Sequence, residues 1–275
     1  MKYKMLVTDF DNTLLRTDHT IAPETLRAIR EYEARGGKFV IATGRMLSAI
    51  LSAVRPLGFR GEIIAFQGGV VADIESGKEL FKSYIPYKTA AELLGDVEKK
   101  GYYIQIYHDG KYFANRYVKR TKIYADTNRL EPAGIVSSPS EYVLKNKTDL
   151  DKILFALEDD CTSTYGEVKE VIAEYCAKYG TNLLFNSSNI MIIEAIERTA
   201  DKGYAVEFLA KKYGIKREEV LCMGDSLNDA PMVAWAGLGV AVSNATDDLK
   251  EVADVVTVSC DEDAVGKTIR KFCLV

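Results

Sequence analysis

Two aspartates stand two positions apart near the start of the chain, in the segment Asp9-Phe-Asp-Asn-Thr13. Asp9 could attack phosphorus as a nucleophile, while Asp11 protonates the departing oxygen and later deprotonates water. Two carboxylates beside a phosphate dianion would repel it, so such a site needs a divalent cation. An isolated pair of this kind also fits a turn or a helix cap, and its interpretation therefore depends on the rest of the chain.

Three other segments could complete this chemistry. The segment Gly224-Asp-Ser-Leu-Asn-Asp229 could supply Asp225 as a hard oxygen ligand for Mg²⁺, although a glycine turn that caps a helix fits it as well. Thr43-Gly44-Arg45 offers a hydroxyl and backbone N–H groups at a helix start, which suits a phosphate oxygen or an ordinary N-cap. Lys202 could neutralise a transferring phosphoryl group, or it could be a solvated side chain.

The elements that would position these residues alternate along the chain. Short apolar, β-branched runs predict strands at 5–8, 38–42, 63–66, 220–223, 238–242 and 255–258. Between them, helical patterns predict helices at 23–34, 46–57, 202–213, 230–236 and 247–253, with a last helix from 261. Such alternation is typical of an α/β fold with a mainly parallel sheet. Ligands bind at the carboxyl ends of the strands in such sheets, where the candidate residues stand.

The middle of the chain has a different composition. From about Ser83 to Ile190 it is rich in tyrosine, and Tyr102–Tyr107 and Tyr112–Ala114 flank His108-Asp-Gly110 like the two strands of a hairpin. A long helical run and a second hairpin-like pair follow. We therefore predict an α+β domain at 84–190, inserted into an α/β domain formed by residues 1–83 and 191–275.

Composition excludes several classes of partner. The 275 residues carry a formal net charge of −4 without a basic stripe, so neither nucleic acid nor a membrane surface is expected to bind. Five scattered cysteines without a C-x-x-C pair match neither a disulfide framework nor a zinc site. With no apolar stretch typical of a signal peptide or a membrane span, we expect a cytoplasmic protein. Its oligomeric state is left open.

Four segments together resemble the motifs of the haloacid dehalogenase (HAD) superfamily, in the family's order. They are D-F-D-N-T at 9–13, I-A-T-G-R at 41–45, D-K-G-Y-A at 201–205 and G-D-S-L-N-D at 224–229. The resemblance spans the chain and implies a Rossmann-like, doubly wound core with an inserted α/β cap domain. It also implies a Mg²⁺-dependent phosphatase that acts on a small phosphorylated metabolite.

The resemblance assigns a role to each residue of these segments. Asp9 would be the nucleophile and a metal ligand, and Asp11 would be the general acid/base that binds the metal through its backbone carbonyl. Asp225 would be the third protein ligand, and Asp229 would support the metal shell. The phosphoryl group would be held by Thr43, Gly44, Lys202 and Asn228.

The position of the insert narrows the resemblance to one subfamily. Asp9 and Thr43 are only 34 positions apart, too few to hold a folded cap, so the long insert falls between Thr43 and Lys202. This is similar to the C2-type cap of the Cof-like phosphatases (HAD-IIB), which act on sugar phosphates, flavin mononucleotide, pyridoxal phosphate and similar esters. Asn12 stands where most relatives have glycine, and Gln67 stands where they often have asparagine.

Three other functions share parts of this pattern. A phosphomutase of the phosphomannomutase type has a C2-type cap on the same core and returns the phosphoryl group to a sugar. A phospho-acceptor signalling domain also combines acidic residues with Thr and Lys, but it lacks a large cap. A non-catalytic binder of phosphorylated metabolites is the third, and the intact pair Asp9 and Asp11 argues against it.

Overall fold

The structure, a computed structural model, describes residues 1–128, 130–159, 163–189 and 192–274. The chain forms two compact units. The first consists of Met1–Arg45, Ile50–Phe81 and the chain from Asp201 onward, and the second of Met46–Ala49 and Lys82–Ala200. No helix of the described part has both the length and the apolar character that crossing a bilayer requires.

The strands and helices of the described residues are numbered in chain order. The strands are β1 (Met5–Asp9), β2 (Lys38–Ala42), β3 (Glu62–Ala65), β4 (Val70–Asp73), β5 (Glu79–Lys82), β6 (Tyr103–His108), β7 (Lys111–Ala114), β8 (Gly134–Ile135), β9 (Lys152–Ala156), β10 (Leu183–Asn189), β11 (Ile192–Glu197), β12 (Val220–Gly224), β13 (Leu238–Ala241) and β14 (Val255–Val256). The helices are α1 (Pro23–Ala34), α2 (Leu47–Val54), α3 (Tyr87–Lys99), α4 (Lys119–Asn128), α5 (Pro139–Asn146), α6 (Tyr165–Tyr179), α7 (Lys202–Tyr213), α8 (Ala230–Trp235), α9 (Asp247–Val252) and α10 (Ala264–Thr268).

The first unit is built on one sheet. Within the described residues its strands lie in the order β14-β13-β12-β1-β2-β3-β4-β5. The six strands from β14 to β3 pair in parallel, and β4 is antiparallel to β3. Every residue of β1 is buried, as expected for a central strand covered on both faces. The predicted α/β fold with a mainly parallel sheet is confirmed.

The second unit is an α+β fold on its own sheet. In the described residues the strand order is β10-β11-β9-β6-β7-β8. Its pairs are antiparallel apart from β7 with β8. The predicted hairpin is β6–β7, and its turn holds Asp109 and Gly110 in left-handed conformations, at φ 51° and 68°. Apolar side chains of α3, α5 and α6 form a core with one face of this sheet.

The end of the second unit differs from the predicted boundary at 190/191, whose two residues lie outside the described part. Strand β11 pairs with β10 and with β9, so its hydrogen bonds hold it in the sheet of the second unit. The first unit therefore resumes at Asp201, whose side chain caps α7 by accepting a hydrogen bond from the backbone N–H of Tyr204. The long segment of the second unit begins at Lys82, where the prediction begins the insert at 84.

Candidate active site

The candidate residues of the first unit lie where neighbouring strands end. Asp9 is the last residue of β1, Thr43 follows β2, and Asp225 follows β12. Because β12, β1 and β2 are adjacent and parallel, their carboxyl ends share one edge of the sheet. Lys202, the first residue of α7, reaches the same edge and contacts Asp9 there.

Lys202 is the centre of a buried ion-pair cluster. It is fully buried, and its Nζ lies 2.5 Å from Oδ1 of Asp9 and 2.6 Å from Oδ1 of Asp229. Burial alone would lower the pKa of Lys202, but the charges of Asp229 and Asp9 outweigh that effect and raise it. The ammonium group therefore stays charged, and it links the carboxylate at the end of β1 to the carboxylate in the loop after β12.

The carboxylates of this cluster outnumber its cation. Oxygen atoms of Asp9, Asp225 and Asp229 all lie within 4.8 Å of one another. Burial raises the pKa of Asp9 well above its ordinary value, and burial together with the charge of Asp229 raises that of Asp225 to about 6. The three carboxylates have one buried ammonium among them, so the fully ionised cluster carries an excess of negative charge. Closely spaced carboxylate oxygens with such an excess are a donor set that suits a hard divalent cation such as Mg²⁺.

Asp229 organises the loop that carries Asp225. Its Oδ2 accepts hydrogen bonds from the backbone N–H groups of Asp225 (3.0 Å) and Ser226 (3.2 Å), while its Oδ1 accepts from Lys202. Gly224 makes room for it, because a Cβ atom on that glycine would overlap the Asp229 side chain. Both carboxylate oxygens of Asp229 are thus engaged within the protein.

Asp11 is held by an arginine that the sequence did not single out. Nε of Arg45 donates to Oδ2 of Asp11 (2.9 Å) and Nη2 donates to Oδ1 (2.5 Å), and the guanidinium lies 5.1 Å from the ring centroid of Phe10. Such a two-point contact fixes the orientation of the carboxylate. Arg45 is part of the T-G-R segment that the sequence analysis identified, but nothing in the sequence indicated that its side chain contacts Asp11.

The predicted phosphate-binding residues Thr43, Gly44 and Asn228 meet around Gln67. Thr43 is buried, and its hydroxyl accepts a hydrogen bond from the backbone N–H of Arg45 (3.2 Å). Asn228 donates from Nδ2 to Oε1 of Gln67 (2.8 Å), whose side chain packs directly on Gly44. Sequence reasoning noticed Gln67 only as a departure from the family pattern.

The family assignment rests on the length of the match as well as on this geometry. Residues 6–269 match the haloacid dehalogenase-like hydrolase family. The chain belongs to that family. As predicted, it is a HAD protein of the IIB, Cof-like type, and its relatives identify it as a phosphatase.

Three relatives of this HAD chain illustrate the likeness. Phosphatase YwpJ of Bacillus subtilis is 30% identical, over 97% of this chain and 99% of its own. The 5-amino-6-(5-phospho-D-ribitylamino)uracil phosphatase YcsE of the same organism is also 30% identical, over 98% and 96%. Among solved structures, the HAD subclass IIB sugar phosphatase BT4131 has a TM-score of 0.82 at 25% identity and covers 99% of this chain and 100% of its own.

The departure at Asn12 has a local structural basis. Asn12 adopts a left-handed backbone conformation, with φ 56° and ψ 11°, which asparagine tolerates better than most residues do. Its carbonyl oxygen accepts a hydrogen bond from Nδ2 of Asn244 (2.9 Å). This HAD chain therefore forms the left-handed turn after β1 without a glycine at position 12.

Proposed function

We propose that this HAD phosphatase uses Mg²⁺ to hydrolyse small phosphomonoesters through an aspartyl-phosphate on Asp9. One observation carries the proposal: oxygens of Asp9, Asp225 and Asp229 converge within 4.8 Å, and the buried ammonium of Lys202 contacts two of these side chains. A nucleophile, an acidic metal site and a fixed positive charge are what phosphoryl transfer to a carboxylate needs.

The donor set supports particular roles around the cation. The carboxylates of Asp9 and Asp225 and the backbone carbonyl of Asp11 would hold Mg²⁺. Asp229 would hold these ligands in position, because its oxygens already accept hydrogen bonds from Lys202 and from the loop that carries Asp225. When bound, the cation would neutralise charge on the phosphate and on the carboxylates.

The proposed chemistry has two displacements at phosphorus. In the first, a carboxylate oxygen of Asp9 bonds to phosphorus, the bond to the ester oxygen breaks, and that oxygen takes a proton from Asp11. In the second, water attacks phosphorus in the aspartyl-phosphate and gives a proton to Asp11. The bond between phosphorus and Asp9 breaks, so that inorganic phosphate is released and Asp9 is free again. Thr43, Gly44, Lys202 and Asn228 would hold the phosphoryl oxygens. Asp11 must leave Arg45 to carry the proton, since both of its oxygens accept from that side chain.

The substrate class is proposed from the relatives. The name of YcsE specifies a phosphoribityl compound, and BT4131 is a sugar phosphatase. We infer a small phosphorylated metabolite of the sugar phosphate, flavin mononucleotide or pyridoxal phosphate type. The core residues contact only phosphate in this proposal, so they set the reaction rather than the leaving group.

A phosphate-release screen tests the metal and the substrate class together. The panel would contain sugar phosphates, flavin mononucleotide, pyridoxal phosphate and p-nitrophenyl phosphate, each with Mg²⁺ and with EDTA. We expect release from at least one member and its loss in EDTA. If every member is inert with Mg²⁺, hydrolysis is the wrong reaction. Isomerisation of a sugar monophosphate after addition of a bisphosphorylated sugar would then identify a mutase.

The nucleophile has its own test. We expect Asp9→Asn to lower turnover by at least about 10³-fold, because an amide cannot form the aspartyl-phosphate. Circular dichroism and thermal melting should show that the fold is retained. Asp247→Asn, at an almost fully exposed carboxylate on α9, is the matched control and should turn over like the parent. Turnover by Asp9→Asn close to that of the parent would refute the role of Asp9.

A further inference from the structure

The turn after β3 has an unusual backbone. Phe66 and Gln67 are consecutive residues with positive φ, at 51° and 59°, and Gly68 follows at 109°. Non-glycine residues rarely adopt this region because their Cβ atoms crowd the backbone. Strain of this kind persists only where the surrounding contacts hold it, and it concentrates at functional sites. The contacts of this turn therefore indicate what it does.

Gln67 contacts three of the proposed phosphate-binding residues. Its side chain is 3% exposed, and its backbone N–H donates to the carbonyl oxygen of Thr43 (3.0 Å). Its side-chain amide accepts from Nδ2 of Asn228 at 2.8 Å and occupies the space that a side chain on Gly44 would need. One buried residue thus joins the loop after β2 to the loop after β12.

The next residue of the turn, Gly68, lies against Lys202, the fourth proposed phosphate-binding residue. A Cβ atom on Gly68 would overlap the backbone of Asp201 and would lie 2.7 Å from the backbone nitrogen of Lys202. The turn therefore packs against the start of α7 as well. Gln67 and Gly68 together therefore contact all four proposed phosphate-binding residues, although neither belongs to the four motifs.

We propose that Gln67 is a positioning residue for phosphate binding, which fixes the Asn228 amide relative to Thr43 and Gly44. The inference rests on the proposed function, because it takes those three residues to bind the phosphoryl group. Donors that are held in place before binding need no reorganisation when the phosphate arrives. Without Gln67, the Asn228 amide would lose the hydrogen bond that ties its loop to the turn after β3.

Two substitutions separate this role from a role in folding. Gln67→Met keeps the length and volume of the side chain but removes the hydrogen bond to Asn228. Gln67→Asn keeps the amide but is one methylene shorter, so it cannot span the same distance, while asparagine tolerates the left-handed backbone better than glutamine. The better backbone preference of asparagine should offset the loss of one buried methylene, so this variant should be about as stable as the parent and still position Asn228 poorly.

The experiment measures affinity for inorganic phosphate in the presence of Mg²⁺. Two readouts are the inhibition constant against p-nitrophenyl phosphate and the rise in melting temperature that phosphate causes. Each variant should bind phosphate about fivefold more weakly, the factor carried by one net hydrogen bond. KM should rise by a similar factor, and the melting temperature without phosphate should stay near that of the parent for Gln67→Asn.

A double-mutant cycle tests the link to Asn228. If Gln67 acts by holding that side chain, Gln67→Met should weaken phosphate binding no further once Asn228→Ala is present. The proposal would be overturned if the losses of phosphate affinity in Gln67→Met and Asn228→Ala multiply in the double variant. It would also be overturned if Gln67→Met binds phosphate like the parent. Gln105, the only other glutamine, is the matched control, because it is buried among tyrosines of the second unit. Gln105→Met should lower the melting temperature without changing phosphate affinity.

The phosphate-induced rise in melting temperature keeps this test independent of turnover. A parent protein that binds phosphate but releases none from any ester would contradict the proposed hydrolysis and leave the Gln67 cycle measurable. A parent that turns over normally while both Gln67 variants bind phosphate unchanged would contradict the positioning role alone.

Discussion

Asp225 shows the cost of assembling an acidic site. Its carboxylate accepts from the Thr13 hydroxyl (3.3 Å), but burial and the charge of Asp229 make its ionised form unfavourable and raise its pKa. A carboxyl group whose pKa is raised by folding binds more protons in the folded state, and stability then falls as pH rises between the two pKa values. For Asp225 that window runs from its ordinary 3.8 to about 6.

Asp225→Asn should therefore stabilise the metal-free protein. Asparagine keeps an oxygen for Thr13 and removes the unfavourable charge, so in EDTA at pH 7 we expect a melting temperature roughly 2–8 °C above that of the parent. The difference should vanish below about pH 4. Mg²⁺ should raise the melting temperature of the parent more than that of the variant, and turnover of the variant should be lost.

The exposed Asp247→Asn variant is the control for this prediction and should melt like the parent under each condition. If Asp225→Asn in EDTA at pH 7 melts no higher than the parent, the buried charge of Asp225 does not destabilise the metal-free protein.

The end of β12 has to fit the loop that follows it. Gly224 closes the strand, and the Asp229 side chain folds back over it to reach Lys202 and the loop amides. The strand and the loop can pack this closely only because position 224 has no side chain. The backbone at Gly224, the Asp229 carboxylate and the Lys202 ammonium therefore pack together at the sheet edge.

Gly224→Ala should displace Asp229 and weaken the site. We expect a loss of about 1–3 kcal/mol in the free energy of unfolding from overpacking, and a fall of roughly 10–100-fold in Mg²⁺ affinity or turnover. Chemical denaturation and a Mg²⁺ titration of turnover measure the two effects. The control is Gly95→Ala in α3, where an added Cβ meets only open space, and it should stabilise the protein by about 0.5–1 kcal/mol without affecting turnover. Full Mg²⁺ affinity in Gly224→Ala would contradict the packing argument.

Local signals in the sequence were enough to predict the elements that depend on them. Helix α1 and strand β2 have the predicted bounds, because Pro23 favours the first turn of a helix and the short apolar run of β2 directly follows the glycine pair at 36 and 37. The strand ends predicted from the sequence therefore placed Asp9, Thr43 and Asp225 at the same edge of the sheet, where the structure has them. What the sequence could not indicate is which side chains would touch there.

Contacts between distant positions account for what sequence reasoning missed. The hydrogen bond from Asn228 to Gln67 joins residues 161 positions apart, and that from Lys202 to Asp229 joins residues 27 apart. No local propensity encodes either contact, because each depends on how separate loops meet after folding. The place of β11 was missed for the same reason, since strand pairing and not composition assigns it to the second sheet.

Each of the two units has its own core and its own buried charges. In the second unit, Nζ of Lys152 lies 2.9 Å from Oε1 of Glu194, and both side chains are almost fully buried. Burial alone would lower the pKa of Lys152, but the charge of Glu194 reverses this effect and raises it. The proposed chemical residues all belong to the first unit, so this pair should contribute to stability rather than to the reaction.

Glu194→Gln should therefore destabilise the second unit while leaving the chemistry nearly intact. The change leaves the Lys152 ammonium buried without its carboxylate, which should cost about 3–5 kcal/mol in the free energy of unfolding, whereas Lys152→Met combined with Glu194→Leu should recover most of it. Denaturant unfolding measures these losses. Turnover of p-nitrophenyl phosphate, measured well below the melting temperature, should change by less than about threefold.

Glu207→Gln, which breaks the surface ion pair with Lys211, is the control and should cost at most about 1 kcal/mol in the free energy of unfolding. A Glu194→Gln variant with parental stability and much lower turnover would instead place this buried pair in the reaction.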